Sequence, residues 1–373
     1  MMYMYSKLFS SSSAILFFAL LLITAQSTAS TPAEMAELSL QELMNLPIEE
    51  ENELIKPNPQ SHKIRKKWSL GLIYSHLVFD GYKNGTKDLK NSEVQFTGVM
   101  GTRTDKNFPI LPTIITQQAL IVNATYRINN KSKINIGIPY IRQSTDHESI
   151  VGNYEFFNIT SSGLGDISTH YKHQLRLGDK DSINLTFGLS TPTGSIDKQG
   201  DTPRAAGDQQ LPYTMQLGSG TWDIPMGITH LHQQKLFNLN TQILGKYRLG
   251  ENDRNYTLGN RISLSSLVKL KVHKNIFPSF KVNFLHWGKI DGQDDEITIP
   301  AQAPFIYPAN ITNPDYFGGE KINVTLGITL SGEGSILHGH QFEIKAGKPI
   351  YQNLNGIQHK ESYHLNVNWT ANF

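Results

Sequence analysis

The chain has 373 residues, which is enough for one large domain or for two to three smaller ones. Hydrophobic residues make up only 38% of it and charged residues 18%, while aromatic residues reach 10%. This mixture excludes an ordinary helical membrane protein and suits a sheet with one apolar face and one uncharged polar face. The net charge of +2 indicates no nucleic-acid partner. Because the chain has no cysteine, disulfides, thiolate metal sites and a lipidated N-terminal cysteine are excluded.

The N-terminal segment has the features of a secretory signal peptide. Lys7 supplies a positive charge, the apolar run AILFFALLLITA covers residues 14–25, and small residues follow it. The run is shorter than the ~20 residues that a membrane-spanning helix requires. We therefore expect a signal peptide at residues 1–29, cleaved after Ala29, with Ala25 as the alternative site.

A short leader is expected at residues 30–66. Thr31 with Glu34, and Ser39 with Glu42, each match the pattern of a capping box, and Pro47 ends the apolar period that follows. One or two short helices and a polar linker are therefore predicted before the main domain. Two interpretations stay open: a plug or periplasmic docking element, and a mobile leader without a function of its own.

From Trp68 onward the apolar residues recur at every second position, which is the period of a strand. In EKINVTLGITL, for example, Val324 and Leu326 alternate with Asn323 and Thr325. Applied to the whole chain, this period predicts about twelve strands, near residues 68–79, 113–128, 132–143, 164–176, 182–191, 218–232, 236–248, 259–272, 276–287, 319–330, 339–350 and 362–373.

The connections between these strands alternate between short and long. Tight turns such as NNK, LGDKD, QQK and HKN lie at one end, and long segments such as 144–163, 192–217, 288–318 and the shorter 351–361 lie at the other. An outer-membrane barrel has this arrangement, and its closure leaves no backbone amide facing lipid. We therefore predict an all-β fold at residues 67–373, a transmembrane antiparallel β-barrel of about 12 strands (10–14), with short periplasmic turns and long extracellular loops.

From GLGDISTHYKHQL (163–175) onward the match to a known group becomes apparent. The chain resembles the bacterial outer-membrane transporter family associated with the meta-pathway of phenol degradation. The resemblance rests on the order of several stretches, among them VFDGYKNGTKDL, GLSTPTGSIDKQGDTP, LPYTMQLGSGTWDI, YRLGENDRNYTLGNR and GHQFEIKAGKPIYQNLNGIQ. It implies a β-barrel in the outer membrane that passes small molecules.

The inward-facing positions of several predicted strands are rich in Lys and Arg and poor in acids. Rings of basic side chains favour anions in such pores, so control of solute selectivity is one hypothesis. The alternative is a bracing network of ion pairs, for example between Glu343 and Lys345. The candidates for the lumen are Lys172, Arg176, Lys246, Arg248, Arg261, Lys269, Lys271, Glu343 and Lys345, with Arg127, Lys281, Lys321 and Asp223 as further inward positions.

Two other kinds of site are weighed and set aside. The histidine pairs at 170/173, 230/232 and 338/340 could share a metal, but no carboxylate stands at ligand spacing, so no metal or cofactor is expected. Ser162 and Ser219 lie near acids and His170 could serve as a base, but there is no Gly-x-Ser-x-Gly motif and no neighbouring His. We therefore expect no enzyme activity and no catalytic residues.

Aromatic residues concentrate at the ends of the predicted strands, as in the girdles of membrane barrels. They are Trp68, Tyr126, Tyr140, Trp222, Tyr247, Trp287, Tyr351, Trp369 and Phe373. The chain ends on HLNVNWTANF, whose alternation and terminal aromatic predict a signal for outer-membrane assembly. Its residues are Tyr363, Leu365, Val367, Trp369 and Phe373.

Together these patterns predict passive passage of small solutes through the outer membrane of a Gram-negative-type cell. Hydrophobic, aromatic and anionic solutes are the candidates. The alternative is a structural or binding barrel without conductance, and an outer-membrane hydrolase is less favoured. The expected partners are outer-membrane lipids, the barrel assembly machinery and a small-molecule solute.

Overall fold

The structure, a computed structural model, describes residues 66–98, 101–332 and 338–373. The predicted signal peptide and the leader as far as residue 65 lie outside the described residues, so both stay predictions. Within those three ranges, no helix is long and apolar enough to cross a membrane.

Regular structure in the described residues is mostly strand. The strands β1 to β17 are, in chain order, Trp68–Gly85, Lys87–Leu89, Ile110–Arg127, Ser132–Ser149, Phe156–Leu164, Ile167–Arg176, Asp181–Thr191, Gln199–Asp201, Asp208–Gln210, Trp222–Gln233, Phe237–Leu249, Tyr256–Thr257, Arg261–Leu270, Ile276–Trp287, Asp291–Gly292, Gly319–Ser331 and His340–Asn372. One short helix, α1, covers Asn91–Val94, and 3-10 turns cover Tyr213–Met215, Asp295–Ile297, Pro300–Gln302, Asn310–Thr312 and Pro314–Tyr316.

The long strands form one closed antiparallel sheet. Its order is β17, β16, β14, β13, β11, β10, β7, β6, β4, β3, β1, and β17 pairs with β1 to close it. The 33-residue β17 is a hairpin. Its first part pairs with β16 and its second part with β1, and the chain reverses at Asn355-Gly356, where Gly356 has φ 58°. The barrel wall therefore consists of twelve antiparallel strand segments of the described chain, which confirms the predicted barrel.

Three predicted boundaries are wrong, two of them because strands continue beyond the apolar band. β1, β3, β4 and β5 continue past the apolar band, so β4 reaches Ser149 and part of the expected loop 144–163 is strand. There the outward residues are polar, for instance Arg142, Asp146 and Asn158, so the alternation of apolar and polar residues disappears while the pairing continues. The expected connection 351–361 is likewise part of β17, and the predicted strand 164–176 is broken at Gly165-Asp166.

The outer surface carries an apolar band with aromatic residues near its edges. Leu72, Leu120 and Ile136 are among the aliphatic side chains exposed on it. Trp68 is 55% exposed and its ring centroid lies 4.8 Å from that of Tyr126. Such a surface is stable only in lipid. The girdle assignment of Trp287 is wrong, because β14 turns this side chain inward and buries it completely.

Three long connections cover one end of the barrel, which we call the loop end; the opposite end, with the tight turns, is the turn end. Residues 192–221, 250–260 and 288–318 meet around Tyr213, Tyr256 and Phe317, all buried. Arg254 joins them through Asp197 at 2.6 Å, Glu296 at 3.1 Å and Asp294 at 3.4 Å. We call this assembly the outer cap.

Candidate functional site in the barrel interior

One side of the barrel interior is lined by basic side chains. Inward positions alternate along each strand, and from β6 to β17 eight of them are Lys or Arg and three are carboxylates. Asp166, just before β6, adds a fourth carboxylate, which leaves an excess of four positive charges among the described residues. We call this surface the cationic wall. Its basic residues are Lys172, Lys246, Arg248, Arg261, Lys269, Lys281, Lys321 and Lys345, and its carboxylates are Asp166, Asp223, Glu343 and Glu361.

Asp223, the second residue of β10, is the centre of the first cluster. Lys246 Nζ lies 3.3 Å from Asp223 Oδ2, and the Arg248 guanidinium donates to the same oxygen. The Thr221 hydroxyl donates to Asp223 Oδ1 at 2.7 Å. All three charged groups are buried, and the register places Arg261 directly beside Lys246. A buried carboxylate needs such partners, and here the cations outnumber it.

Glu343 is the centre of the second cluster. It lies 2.7 Å from Lys345 and 3.5 Å from Lys269, and it accepts a hydrogen bond from Thr329 at 3.0 Å. Neighbouring strands bring these side chains together, because β17 pairs Glu343 with Thr329 and carries Lys345 two residues further on the same face. The structure thus contains the Glu343–Lys345 pair that the bracing interpretation requires.

Glu361 is the centre of a third cluster, which the sequence reasoning missed. Its carboxylate contacts Lys321 and lies 2.7 Å from His364 Nδ1, while His364 Nε2 is 2.9 Å from the Thr325 hydroxyl. The inward Trp287 ring lies 5.9 Å from Lys321 Nζ. The signal available in the sequence was the position of His364 among the polar residues that alternate with apolar ones in the last strand. Glu361 itself stood in a segment that we expected to be a loop.

The inward faces of β1, β3 and β4 carry an apolar patch among buried polar side chains. The patch presents Ile73, Ile121 and Ile141, which form one buried cluster with Leu217. Leu217 does not belong to the wall but to the long connection between β7 and β10. We call residues 192–221 the inserted loop, because residues 211–219 of this connection lie inside the barrel.

The inserted loop is hydrogen-bonded to the inner face of β4 and β5. Gln143 Nε2 donates to the carbonyl of Gln216 at 2.8 Å, and the Ser161 hydroxyl donates to the carbonyl of Met215 at 2.6 Å. Thr145 Oγ1 lies 3.2 Å from the sulfur of Met215. The loop therefore rests on specific partners and covers the apolar patch formed by Ile73, Ile121 and Ile141.

The GLGD stretch explains how this loop is held. Asp166 follows the break between β5 and β6, and its carboxylate accepts from the amide of Gly194 at 2.9 Å and from the amide and hydroxyl of Ser219, both at 2.8 Å. A Cβ on Gly218 would lie 2.4 Å from the carbonyl oxygen of Gly194, so the two loop strands approach too closely for any side chain there. The motif is thus a fastener for the inserted loop.

Two of the predicted lumen residues lie elsewhere. Arg176 is exposed at the last position of β6, where it donates to the carbonyl of Gly178 and lies 3.6 Å from Asp179. Lys271 follows β13 and donates to the carbonyl of Gln234 at 2.8 Å. Both are part of the turn end. The structure brings the other seven into the cationic wall, and their role in selectivity stays a prediction.

The histidine and serine candidates do not combine into a reactive centre. His230 and His232 lie 3.0 and 2.8 Å from Asp181, a contact that spacing along the sequence did not indicate, because β7 places Asp181 opposite His232. Within the described ranges, no group of three or more His, Asp or Glu residues could hold a metal ion. Ser162 is on the outer face of β5, whereas His170 faces inward.

Comparison with known proteins gives the fold. No protein-family model and no curated protein matches the sequence. The structure is similar to that of the COG4313 outer membrane channel from Pseudomonas putida F1, with a TM-score of 0.55 and 12% identity over 84% of this chain and 99% of that chain. At this identity the likeness shows a shared β-barrel fold of the outer-membrane type.

Two other similarities are too weak to support a conclusion. The transport unit of the autotransporter AIDA-I from Escherichia coli gives a TM-score of 0.42 at 10% identity, over 92% of this chain and 99% of that chain. The TodX deltaS2S3 mutant monoaromatic hydrocarbon channel gives 0.40 at 9%, over 83% and 91%.

Proposed function

We propose that this protein is an outer-membrane transporter that passes small solutes passively, and that these solutes combine an anionic group with an apolar or aromatic body. The observation that carries the proposal is the division of the interior. The cationic wall lies across the barrel from an apolar patch formed by Ile73, Ile121 and Ile141, on which Leu217 of the inserted loop packs. A barrel that served only as a scaffold would have no need of this separation.

The charge excess on the cationic wall supports the anionic group. In a confined interior with a low effective dielectric constant, unbalanced positive charges lower the energy of a passing anion. The three carboxylates in the clusters hold the cations in fixed positions without neutralising all of them. The apolar patch, in turn, offers an aromatic or aliphatic body a contact that water does not, once the inserted loop and its Leu217 move aside.

The location and family belong to the same proposal. The apolar outer band supports insertion in an outer membrane, with the turn end in the periplasm and the outer cap outside. The order of short stretches from VFDGYK to GIQ supports membership of the transporter family associated with the meta-pathway of phenol degradation. The fold shared with an outer membrane channel supports transport in this chain as well.

A barrel without conductance is the second candidate, because the outer cap and the inserted loop are both tightly packed. A hydrolase has less support. Ser219, the more buried of the two serines considered, donates its hydroxyl to Asp166, which occupies that serine in holding the loop. Lipolysis and proteolysis assays on the folded protein are expected to show no activity above that of empty detergent.

Liposome swelling tests the transport proposal. Purified protein in liposomes is compared with empty liposomes for benzoate, benzamide and acetate, which separate the anionic group from the aromatic body. We expect benzoate to enter faster than either of the others. Swelling no faster than in empty liposomes would favour the closed barrel, and faster entry of benzamide than benzoate would contradict a role for the cationic wall.

A further inference from the structure

Each tight turn described at the turn end carries one exposed lysine. These are Lys131 between β3 and β4, Lys180 between β6 and β7, Lys235 between β10 and β11, and Lys274 between β13 and β14. Lys66 and Lys67, also exposed, lead into β1 at the same end. We call these six residues the lysine collar.

The turns of the collar are held in place by backbone hydrogen bonds between neighbours. Gln174 N donates to the carbonyl of Lys131 at 2.7 Å, Gln233 N to that of Lys180 at 2.8 Å, and Ser331 N to that of Asn275 at 2.9 Å. Each turn is thereby tied to the next strand around the ring. The lysines are thus presented from a rigid rim, so a partner would not have to order the backbone that carries them.

Acids are scarce at this end and abundant at the other. In the turns that the structure describes, the exposed acid is Asp179, next to Arg176, and the sequence adds Glu333 in the turn after β16. The strand-end carboxylate Asp181 is shared by two histidines. By contrast, the loop-end connections 86–109, 150–155, 192–221, 250–260 and 288–318 contain 14 acids and 8 basic residues. An acidic partner is therefore attracted to the turn end and repelled from the loop end.

The chain itself contains such a partner. Residues 31–53 include seven glutamates and no Lys or Arg. The linker 54–65 that joins this segment to the collar can extend to roughly 40 Å, at ~3.3 Å per residue. A barrel of twelve strands spaced ~4.8 Å apart and tilted by ~40° is only about 24 Å across. The acidic segment can therefore reach every turn of the collar.

We propose that the acidic segment 31–53 docks on the lysine collar at the turn end of the barrel. The tether gives it an effective concentration in the millimolar range, so a contact that would be weak between separate molecules becomes occupied. Because the collar is exposed, its attraction is screened by salt. The docking stands independently of the transport proposal.

The absence of cysteine makes a distance measurement on the full chain straightforward. Spin labels are attached at Asn45→Cys in the leader and Asn130→Cys in the β3–β4 turn, and their distance distribution is measured in detergent. We expect a short, narrow population at 50 mM NaCl that falls at least fivefold at 500 mM. The collar variant K131Q/K180Q/K235Q/K274Q should lose it at both salt concentrations.

A matched control removes four exposed lysines from the loop end, as K87Q/K90Q/K106Q/K289Q, and should leave the short population intact. A second measurement uses a zero-length carboxyl–amine crosslinker on the unlabelled chain, with mass spectrometry of the products. Crosslinks from glutamates 34–53 to collar lysines are expected. The proposal is overturned if both lysine variants give the same distances, if the distances do not respond to salt, or if the glutamates crosslink only to loop-end lysines.

Discussion

The fastening of the inserted loop by Asp166 makes a quantitative prediction. Its carboxylate accepts three hydrogen bonds at 2.8–2.9 Å from Gly194 and Ser219. Replacing it with Asn keeps one acceptor oxygen and removes the charge, so about two charge-assisted bonds of ~1.5 kcal/mol each are lost. The loss of ~3 kcal/mol raises the population of the opened loop roughly a hundredfold, while the barrel itself stays folded.

Hydrogen exchange and limited proteolysis measure this opening. In D166N, amides in residues 192–221 should exchange about a hundredfold faster, because the free energy of loop opening falls by ~3 kcal/mol. Trypsin should also cleave after Lys198 and Arg204 sooner than in the unmodified protein. D208N, which changes an exposed carboxylate of the same loop, is the control and should behave as the unmodified protein. Equal exchange and cleavage in D166N and D208N would refute the view that Asp166 fastens the loop.

Three other consequences can be checked. E343Q should raise the chloride-over-potassium permeability ratio and lower the unfolding temperature of the barrel, since Lys269 and Lys345 lose their shared carboxylate. E320Q, on the outer face, is the control. An unchanged permeability ratio in E343Q would count against the cationic wall. Burial raises the pKa of the Asp294 carboxyl despite nearby Arg254, so the folded outer cap binds this proton more readily than the unfolded chain does. The stability of the cap should therefore rise as pH falls from neutral through the raised pKa toward ~4. Protease resistance measures this rise, and D294N should remove it. Deleting Phe373 removes the backbone bonds that it exchanges with Trp68 and should reduce the amount of heat-modifiable barrel in membranes, whereas F373Y should assemble normally; full assembly of the truncated chain would contradict an assembly signal there.

The barrel could be predicted because its outer face meets lipid. Wherever a strand crosses the apolar band, residues such as Val324, Leu326 and Ile328 must alternate with inward polar ones, and this period is readable. Above the band both faces of β4 are polar, so its continuation to Ser149 left no periodic signal. The same reason hid the outer part of the β17 hairpin, and with it Glu361.

From the sequence, the interior could be predicted only as the set of alternate strand positions that point inward. The inward lysines were found because alternation along a strand indicates which side chains point inward. Alternation does not give the positions of Trp287 and Leu217. Trp287 stands at a strand end like the girdle residues, and its inward side depends on register. Leu217 lies in a loop, and its position against Ile121 depends on contacts between residues far apart in the sequence. Three-dimensional closure, rather than local pattern, decides both.

Ion selectivity in planar bilayers tests the central claim most directly. Purified full-length protein is placed between two KCl solutions of different concentration, and the reversal potential gives the chloride-over-potassium permeability ratio. With a net excess of positive charge on the cationic wall, we predict a ratio well above one. A ratio below one would contradict a transporter whose basic interior selects anionic solutes.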